Sequence, residues 1–234
     1  MTTSGVLVAG AGPGVSGHLA RLVAAEGHPL ALLGADADAV EELRAELAAL
    51  VPVAAYVVDL TDDVATRRAV TDACTELGAG PEAPLRAVHF NPSAFRECDP
   101  LELTPAELAE DVALGVGALL SVVQAARPFL GAGSRVSVTG SMAADEPWHR
   151  AASLGVQKAG VRNLVLSLDE TLRDDGIRAV SVTVRGTLAE EGTFARSAVA
   201  RAVRASWEQA EGAWRAELDY PARPLGVPTF RAGT

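Results

Sequence analysis

The stretch from Val6 to Gly17, which reads V-L-V-A-G-A-G-P-G-V-S-G, constrains this chain more than any other part of it. A short apolar run stops at Gly10, and further glycines follow before an amphipathic helical pattern begins. This order predicts a buried strand, a tight turn and a helix that starts close to the strand. Glycine lets the main chain approach a ligand, and the free N–H groups that open a helix form an anion site. We therefore predict a turn that binds a diphosphate, as in dinucleotide sites; a tight turn without a ligand is the alternative.

The rest of the chain alternates short apolar segments with helical patterns. We predict strands at 6–9, 30–33, 53–58, 85–90, 135–139, 177–184 and 214–220, and helices at 18–25, 40–50, 61–77, 104–130, 151–174 and 194–211. Thr61 and Thr104 are the predicted caps of two helices, and Glu107 completes a capping box with Thr104.

Strands that are apolar on both faces and alternate with helices predict a parallel sheet covered on both sides. The predicted fold class is α/β, with a single doubly wound Rossmann-type domain over residues 1–220 and about seven strands. Three prolines over residues 221–234 predict an irregular C-terminal tail. In such sheets ligands bind beyond the carboxyl ends of the strands, where the strand order reverses. The loops at 10–17, Asp59, 91–93, Ser141 and Gly186 should therefore converge on one crevice.

Charge and composition exclude several functions. The formal net charge of −10 argues against binding to nucleic acid or to an anionic membrane, since both need a basic face. No apolar run approaches the roughly 18 residues that span a bilayer, and the first ten residues lack the basic flank of a signal peptide. Two cysteines form no disulfide framework, and we predict no metal site. We expect a soluble, cytoplasmic protein.

With these residues the chain resembles the short-chain dehydrogenase/reductase family over essentially its whole length. The family's glycine motif, Gly-x-x-x-Gly-x-Gly, matches Gly10 and Gly14, with Ser16 in place of the last glycine. The resemblance implies a bound NAD or NADP. The residues implied to bind it are Gly10, Gly12, Pro13, Gly14, Val15, Asp36, Asp59, Leu60, Asn91, Lys158 and Gly186.

The resemblance also implies individual roles. Asp59 matches the aspartate that touches the adenine ring, and Asn91 matches the asparagine of the family's Asn-Ala-Gly motif. Ser141 matches the catalytic serine, and Lys158 matches the lysine that binds the nicotinamide ribose. Gly186 matches the glycine of a Pro-Gly turn, although arginine precedes it here.

Two positions depart from the family's catalytic set. Leu154 stands at the position of the family's tyrosine, which donates the proton. Leu114 stands at the position of an asparagine that takes part in the proton relay. Carbonyl reduction builds negative charge on oxygen that a positioned acid must protonate, and leucine cannot do so. We predict Ser141, Lys158 and His149 as catalytic residues, with water or His149 supplying the proton; an ordinary exposed loop histidine is the other interpretation of His149.

The choice between NAD and NADP stays open. Asp36 could accept hydrogen bonds from the ribose 2′-hydroxyl, or it could instead cap the helix that follows. No basic residue stands in the glycine turn, which slightly favours NAD.

Three functions compete on this sequence. The first is an atypical NAD(P)-dependent oxidoreductase acting on a carbonyl or alcohol of a small organic molecule. The second is a non-redox isomerase, dehydratase or cyclase on the same scaffold, and the third is an inactive nucleotide-binding partner subunit. The resemblance implies a homodimer or homotetramer through the helices at 104–130 and 151–174.

Overall fold

The computed structural model describes residues 4–222, so most of the predicted tail at 221–234 lies outside the described residues. Seven strands form one parallel sheet in the order β3-β2-β1-β4-β5-β6-β7, which confirms the predicted fold class. The strands are β1 (Val6–Ala9), β2 (Leu30–Gly34), β3 (Val53–Val57), β4 (Ala87–Phe90), β5 (Arg135–Ser141), β6 (Arg178–Val184) and β7 (Glu217–Tyr220).

Helices cover both faces of the sheet. They are α1 (Val15–Ala25), α2 (Ala37–Leu47), α3 (Asp63–Glu76), α4 (Pro105–Val112), α5 (Ala118–Ala126), α6 (Ala152–Leu172) and α7 (Arg196–Ser206). Side chains of α1, α2 and α7 build the core on one face, and those of α3, α5 and α6 build the core on the other. Within residues 4–222, none of these helices has the length and apolar character that crossing a membrane requires.

The predicted helix over 104–130 is correct in place but not continuous. It begins with the predicted capping box of Thr104 and Glu107, with Pro105 in the first turn. A π-helical turn, Ala113–Gly117, then separates α4 from α5. A Cβ atom at Gly115 would collide with the buried side chain of Gln157 on α6, so the chain needs glycine at this close approach.

The predicted cap at Thr61 is wrong. The side chain of Asp62 caps α3 by accepting a hydrogen bond from the Ala65 N–H at 3.0 Å. Thr61 instead donates from its N–H and its hydroxyl to the Asp59 carboxylate, at 2.9 and 2.8 Å. Both residue types are good caps, and the tight turn at Asp59 decides between them.

The strand order reverses beside β1, which pairs with β2 on one side and β4 on the other. The crevice at such a reversal is the usual ligand site of a doubly wound sheet. The glycine turn follows β1 at this point, and the loop that starts at Asn91 follows β4.

Candidate functional site

The first and last glycines of the turn after β1 are required by the fold itself. Gly10 has φ of +81° in the left-handed region, and a Cβ there would lie 2.8 Å from the ring of Pro92. A Cβ at Gly17 would collide with the carbonyl oxygen of Gly12, because α1 starts close against the turn. The turn's shape therefore explains both glycines without a ligand.

Gly12 and Gly14 need a different explanation. In the described chain, a Cβ at either position would meet nothing within 4 Å, and neither residue has a φ in the left-handed region. Gly14 precedes α1 and supplies no side-chain cap, and the first turn of α1 carries no acidic residue. The helix start thus keeps amide groups and open space for an anion, so the cradle fits the diphosphate of a nicotinamide nucleotide.

One crevice of about 280 Å³ runs from the glycine turn to the ends of β4, β5 and β6. Gly14 and Val15 line it on the α1 side, and Asn91, Ser141 and Gly186 line it beyond the strands. The other lining residues are Ser93, Phe95, Thr139, Gly140, Leu154, Lys158, Val184 and Leu188. This crevice joins the start of α1 to Ser141 and Lys158, and a concave site of this kind is the usual place for a small-molecule ligand.

Lys158 is the only lysine in the chain, beside nineteen arginines, which together make up the 20 Lys and Arg residues. Helix α6 holds its side chain at 6 % exposure, and its Nζ donates to the carbonyl oxygen of Thr139 at 3.0 Å. Burial lowers the pKa of the Lys158 ammonium from 10.5 to about 8. A cation held at a fixed depth in the crevice wall is suited to binding hydroxyl groups of a ligand.

Ser141 ends β5 and faces the crevice near Lys158 and Leu154. Its Oγ accepts a hydrogen bond from the Ala143 N–H at 3.2 Å, which fixes the side chain at the start of a short 3₁₀ turn. The hydroxyl hydrogen stays available for a substrate oxygen. Leu154 offers the crevice only apolar surface.

A buried histidine lies under the crevice floor, and sequence reasoning missed it. His89 on β4 is fully buried and hydrogen-bonded to Ser137 Oγ at 2.9 Å and Thr139 Oγ1 at 3.2 Å. Burial, with a smaller contribution from the Lys158 charge, lowers the pKa of His89 to about 3. His89 is therefore neutral at physiological pH. Its hydrogen bond helps to hold Thr139, whose carbonyl oxygen accepts a hydrogen bond from the Lys158 ammonium.

Four predicted site residues outside the glycine turn do not line the crevice. His149 is exposed in the loop before α6 and is not among the described residues that line the crevice. The Asp36 carboxylate caps α2, accepting from the N–H groups of Asp38 and Ala39 at 3.1 Å, which is the alternative interpretation of this residue. Asp59 accepts hydrogen bonds from Thr61, which lower the pKa of its carboxyl, and the neighbouring Leu60 is buried. A position in a loop does not fix which way a side chain points, and the role predicted for His149 stays a prediction.

Pro13 and Gly12 border a smaller pocket of about 80 Å³ beside α2, together with Arg21. Arg21 lies near the turn from α1, but its guanidinium is held by the Glu46 carboxylate at 2.6 and 2.7 Å. Sequence spacing alone gave no sign of this arginine, since it lies two turns into α1.

Gln157 is a further residue that the sequence did not indicate. It is fully buried, and its side-chain amide clamps Ala94, accepting from the N–H at 2.9 Å and donating to the C=O at 3.2 Å. This clamp holds the segment 91–95, which carries three crevice-lining residues. The only signals of this clamp in the sequence are the glutamine itself, next to Lys158, and Gly115 in the facing helical segment.

Arg185 ties the loop after Ser141 to β7. Its buried guanidinium binds the Asp145 carboxylate at 2.6 and 2.8 Å and Asp219 at 2.5 Å. A charged network therefore holds the loop that follows Ser141 to the ends of β6 and β7.

Comparisons with known proteins agree with this architecture. A family model described as Enoyl-(Acyl carrier protein) reductase matches residues 10–211. No curated protein sequence matches the chain. Among solved structures, a short-chain dehydrogenase from Rhodopseudomonas palustris has a TM-score of 0.80 at 22% identity, covering 95% of this chain and 99% of its own. A short-chain dehydrogenase/reductase from Serratia marcescens BCRC 10948 has a TM-score of 0.77 at 22% identity, covering 94% and 98%.

A third structure, a metagenomic short-chain oxidoreductase in complex with NADP, has a TM-score of 0.79 at 20% identity, covering 93% of this chain and 96% of its own. At these identities the likeness shows the shared fold. The match to the family model extends over most of the chain and therefore assigns the family, which the structural likeness alone does not. The chain belongs to the short-chain dehydrogenase/reductase family.

Proposed function

We propose that this protein is an NAD(P)-dependent oxidoreductase that acts on a carbonyl or alcohol group of a small organic molecule, with a proton path that differs from the family's. The observation that carries the proposal is the single crevice that brings the open Gly14 of the turn together with Lys158 and Ser141. The NADP in the metagenomic relative supports the same cofactor class.

The chain's residues divide the binding between them. The amide groups that open α1, at Val15 and just beyond, bind the two phosphates in the space that Gly12 and Gly14 leave free. The Lys158 ammonium would donate hydrogen bonds to the nicotinamide ribose, and a nicotinamide nucleotide, when bound, would provide the hydride chemistry. Ser141 donates its hydroxyl hydrogen to the substrate oxygen and so orients the carbonyl carbon.

Leu154 determines how the proton moves. A leucine in the place of the family's tyrosine leaves no side-chain acid above the substrate oxygen, and exposed His149 does not reach the crevice lining. Water that enters through the open mouth therefore supplies the proton, while Ser141 and the Lys158 charge stabilise the developing negative charge. We expect slow turnover, because a positioned general acid typically contributes about 10²–10⁴-fold.

Substitution of the open glycines tests the nucleotide site. Gly12→Ala and Gly14→Ala should leave the free energy of unfolding within about 1 kcal/mol of wild type, since the added methyl groups meet open space. Both should weaken NADH and NADPH binding at least tenfold in fluorescence titrations. Gly17→Ala is the contrasting variant: its methyl group collides with Gly12, so it should lower stability itself. Unchanged nucleotide affinity in the first two variants would contradict the proposal.

A carbonyl screen with the nucleotide-bound protein separates the competing functions. Nucleotide binding with turnover supports the oxidoreductase. Leu154 favours the non-redox alternative, an isomerase, dehydratase or cyclase, and binding without any redox change in the presence of the true substrate would support it. Nucleotide binding without conversion of any substrate would support the third candidate, an inactive nucleotide-binding partner subunit, and absence of nucleotide binding would contradict the proposal.

We also propose a homodimer or homotetramer through the helices at 104–130 and 151–174. A groove of about 410 Å³ runs between α5 and α6 on the surface, and its walls are mostly apolar. Its apolar lining residues are Leu120, Val123, Leu164, Leu168 and Leu172. A second copy of the same helix pair is the partner that a two-fold interface would place there.

A further inference from the structure

We propose that an aromatic rim, made of Phe95 and Trp148 at the mouth of the crevice, binds a flat apolar group of an uncharged substrate. This inference rests on the proposed function and adds the substrate class to it. The two rings lie with centroids 6.2 Å apart at an interplanar angle of 33°. Phe95 is 63% exposed and Trp148 is 47% exposed, so both present apolar surface to solvent.

The position of the rim ties it to the site. Phe95 lines the crevice itself, and Leu188, which is 41% exposed, lines the same crevice. Leu154 and Val184 extend the apolar wall inward past Ser141. A molecule whose carbonyl oxygen reaches the Ser141 hydroxyl would thus lay its remaining part along apolar side chains out to the rim.

Charge in the crevice selects against an ionised substrate. Of the described residues that line it, Lys158 alone carries a formal charge. The Lys158 ammonium is buried on the Thr139 carbonyl and is assigned to the ribose, so a substrate carboxylate would lose water without gaining a cation. An uncharged ring system pays no such cost, and its contact with two aromatic side chains is favourable.

The rim is held in place by several contacts and is therefore preorganised. The Cys98 N–H donates to the Arg150 carbonyl oxygen at 2.9 Å, which joins the two loops that carry the rings. Arg150 also pairs with Glu97, and its guanidinium lies 6.0 Å from the centre of the Trp148 ring. The Gln157 clamp fixes Ala94, the residue before Phe95. The entropy cost of ordering these two side chains when a substrate binds is therefore small.

Steady-state kinetics with acetophenone and butanone test the rim. Phe95→Ala and Trp148→Ala should each raise KM for acetophenone about tenfold and leave KM for butanone within about twofold, because only the aryl ketone covers the rings. Leu101→Ala is the matched control: Leu101 is 96% exposed but does not line the crevice, so neither KM should change. Acetophenone turnover with an unchanged KM in both rim variants would overturn the inference while the oxidoreductase assignment stands.

A binding assay keeps the inference testable if no ketone is turned over. Acetanilide carries the same ring on an amide that resists hydride reduction, and it should change Trp148 fluorescence in the nucleotide-bound protein. The change should be lost in Trp148→Phe and weakened about tenfold in Phe95→Ala. A fluorescence change without ketone turnover would support the rim and refute the redox function, and no change in the wild type would refute the rim. Altered sedimentation of Phe95→Ala, in which Trp148 still reports binding, with unchanged acetanilide affinity would show that a second copy of the chain covers the rings, and would also refute the rim.

Discussion

Replacing Lys158 with methionine tests whether the crevice holds a buried charge. The Lys158 ammonium has a pKa of about 8 in the folded protein, against 10.5 for an unperturbed lysine. Below pH 8 both the folded and the unfolded state carry the proton, and the folded state bears the full cost of the buried charge. Between pH 8 and 10.5 the folded state releases the proton first, so the stability of the wild type rises with pH.

The lowered pKa sets the size of the effect. A difference of about 2.5 pKa units between 10.5 and 8 corresponds to roughly 3 kcal/mol of buried-charge cost at pH 7. Lys158→Met removes this cost but leaves the carbonyl oxygen of Thr139 without its donor, which offsets part of the gain. The loss at Thr139 is independent of pH, whereas the buried-charge cost is not. The stability advantage of methionine over lysine should therefore fall by about 2 kcal/mol between pH 7 and pH 10.

Urea denaturation of both proteins at pH 7, 8, 9 and 10 measures this difference. Groups that titrate equally in the two proteins cancel in the comparison, so the change with pH belongs to position 158. Lysine labelled with ¹³C at Cε gives an independent reading, because the chain's single lysine yields a single side-chain signal. A stability difference that is the same at pH 7 and pH 10, with an amine pKa near 10.5, would refute the reasoning.

Three further predictions concern the crevice wall and the subunit surface. Leu154→Tyr should raise ketone reduction by about 10²-fold or more while Leu154→Phe, equal in bulk but without the hydroxyl, should not, and equal rates in the two variants would exclude an otherwise intact proton site. Gly115→Ala should lower the free energy of unfolding by about 1–3 kcal/mol and weaken nucleotide binding, because the added methyl group displaces the Gln157 clamp. Gly117→Ala is the control and should do neither, since a Cβ there meets nothing closer than 4.0 Å. Leu168→Glu in the groove between α5 and α6 should shift the oligomer toward the monomer in light scattering, and a wild type that is already monomeric at micromolar concentration would contradict the proposed interface.

The sequence predicts the sheet well because its signals are local. The buried strands β1 and β2 are short apolar runs, and glycine or a polar cap marks most helix ends, as at Gly176 with its φ of +71°. The π-helical turn at 113–117 has no such signal. At this turn Gln157 packs closely against Gly115, and these two residues lie far apart in the sequence and meet only in the folded chain.

Side chains whose direction is fixed by a strand or a helix could be placed at the candidate site from the sequence. Side chains in loops could not. Ser141, at the end of a strand, and Lys158, on the face of a long helix, both reach the crevice. His149 lies in a loop and is exposed, and the Asp36 carboxylate caps the start of α2. The neutral histidine His89, under the crevice floor, could not be distinguished in sequence from an ordinary strand residue.

The most direct measurement of the central claim follows the single lysine during nucleotide titration. The central claim is that the start of α1 holds the diphosphate, and Lys158 the nicotinamide ribose, of one nucleotide. Addition of NADH or NADPH to ¹³C-lysine-labelled protein should move the Lys158 signal saturably, and Gly14→Ala should weaken that response at least tenfold without unfolding the protein. A Lys158 signal that stays unmoved at millimolar concentrations of both nucleotides would contradict the account.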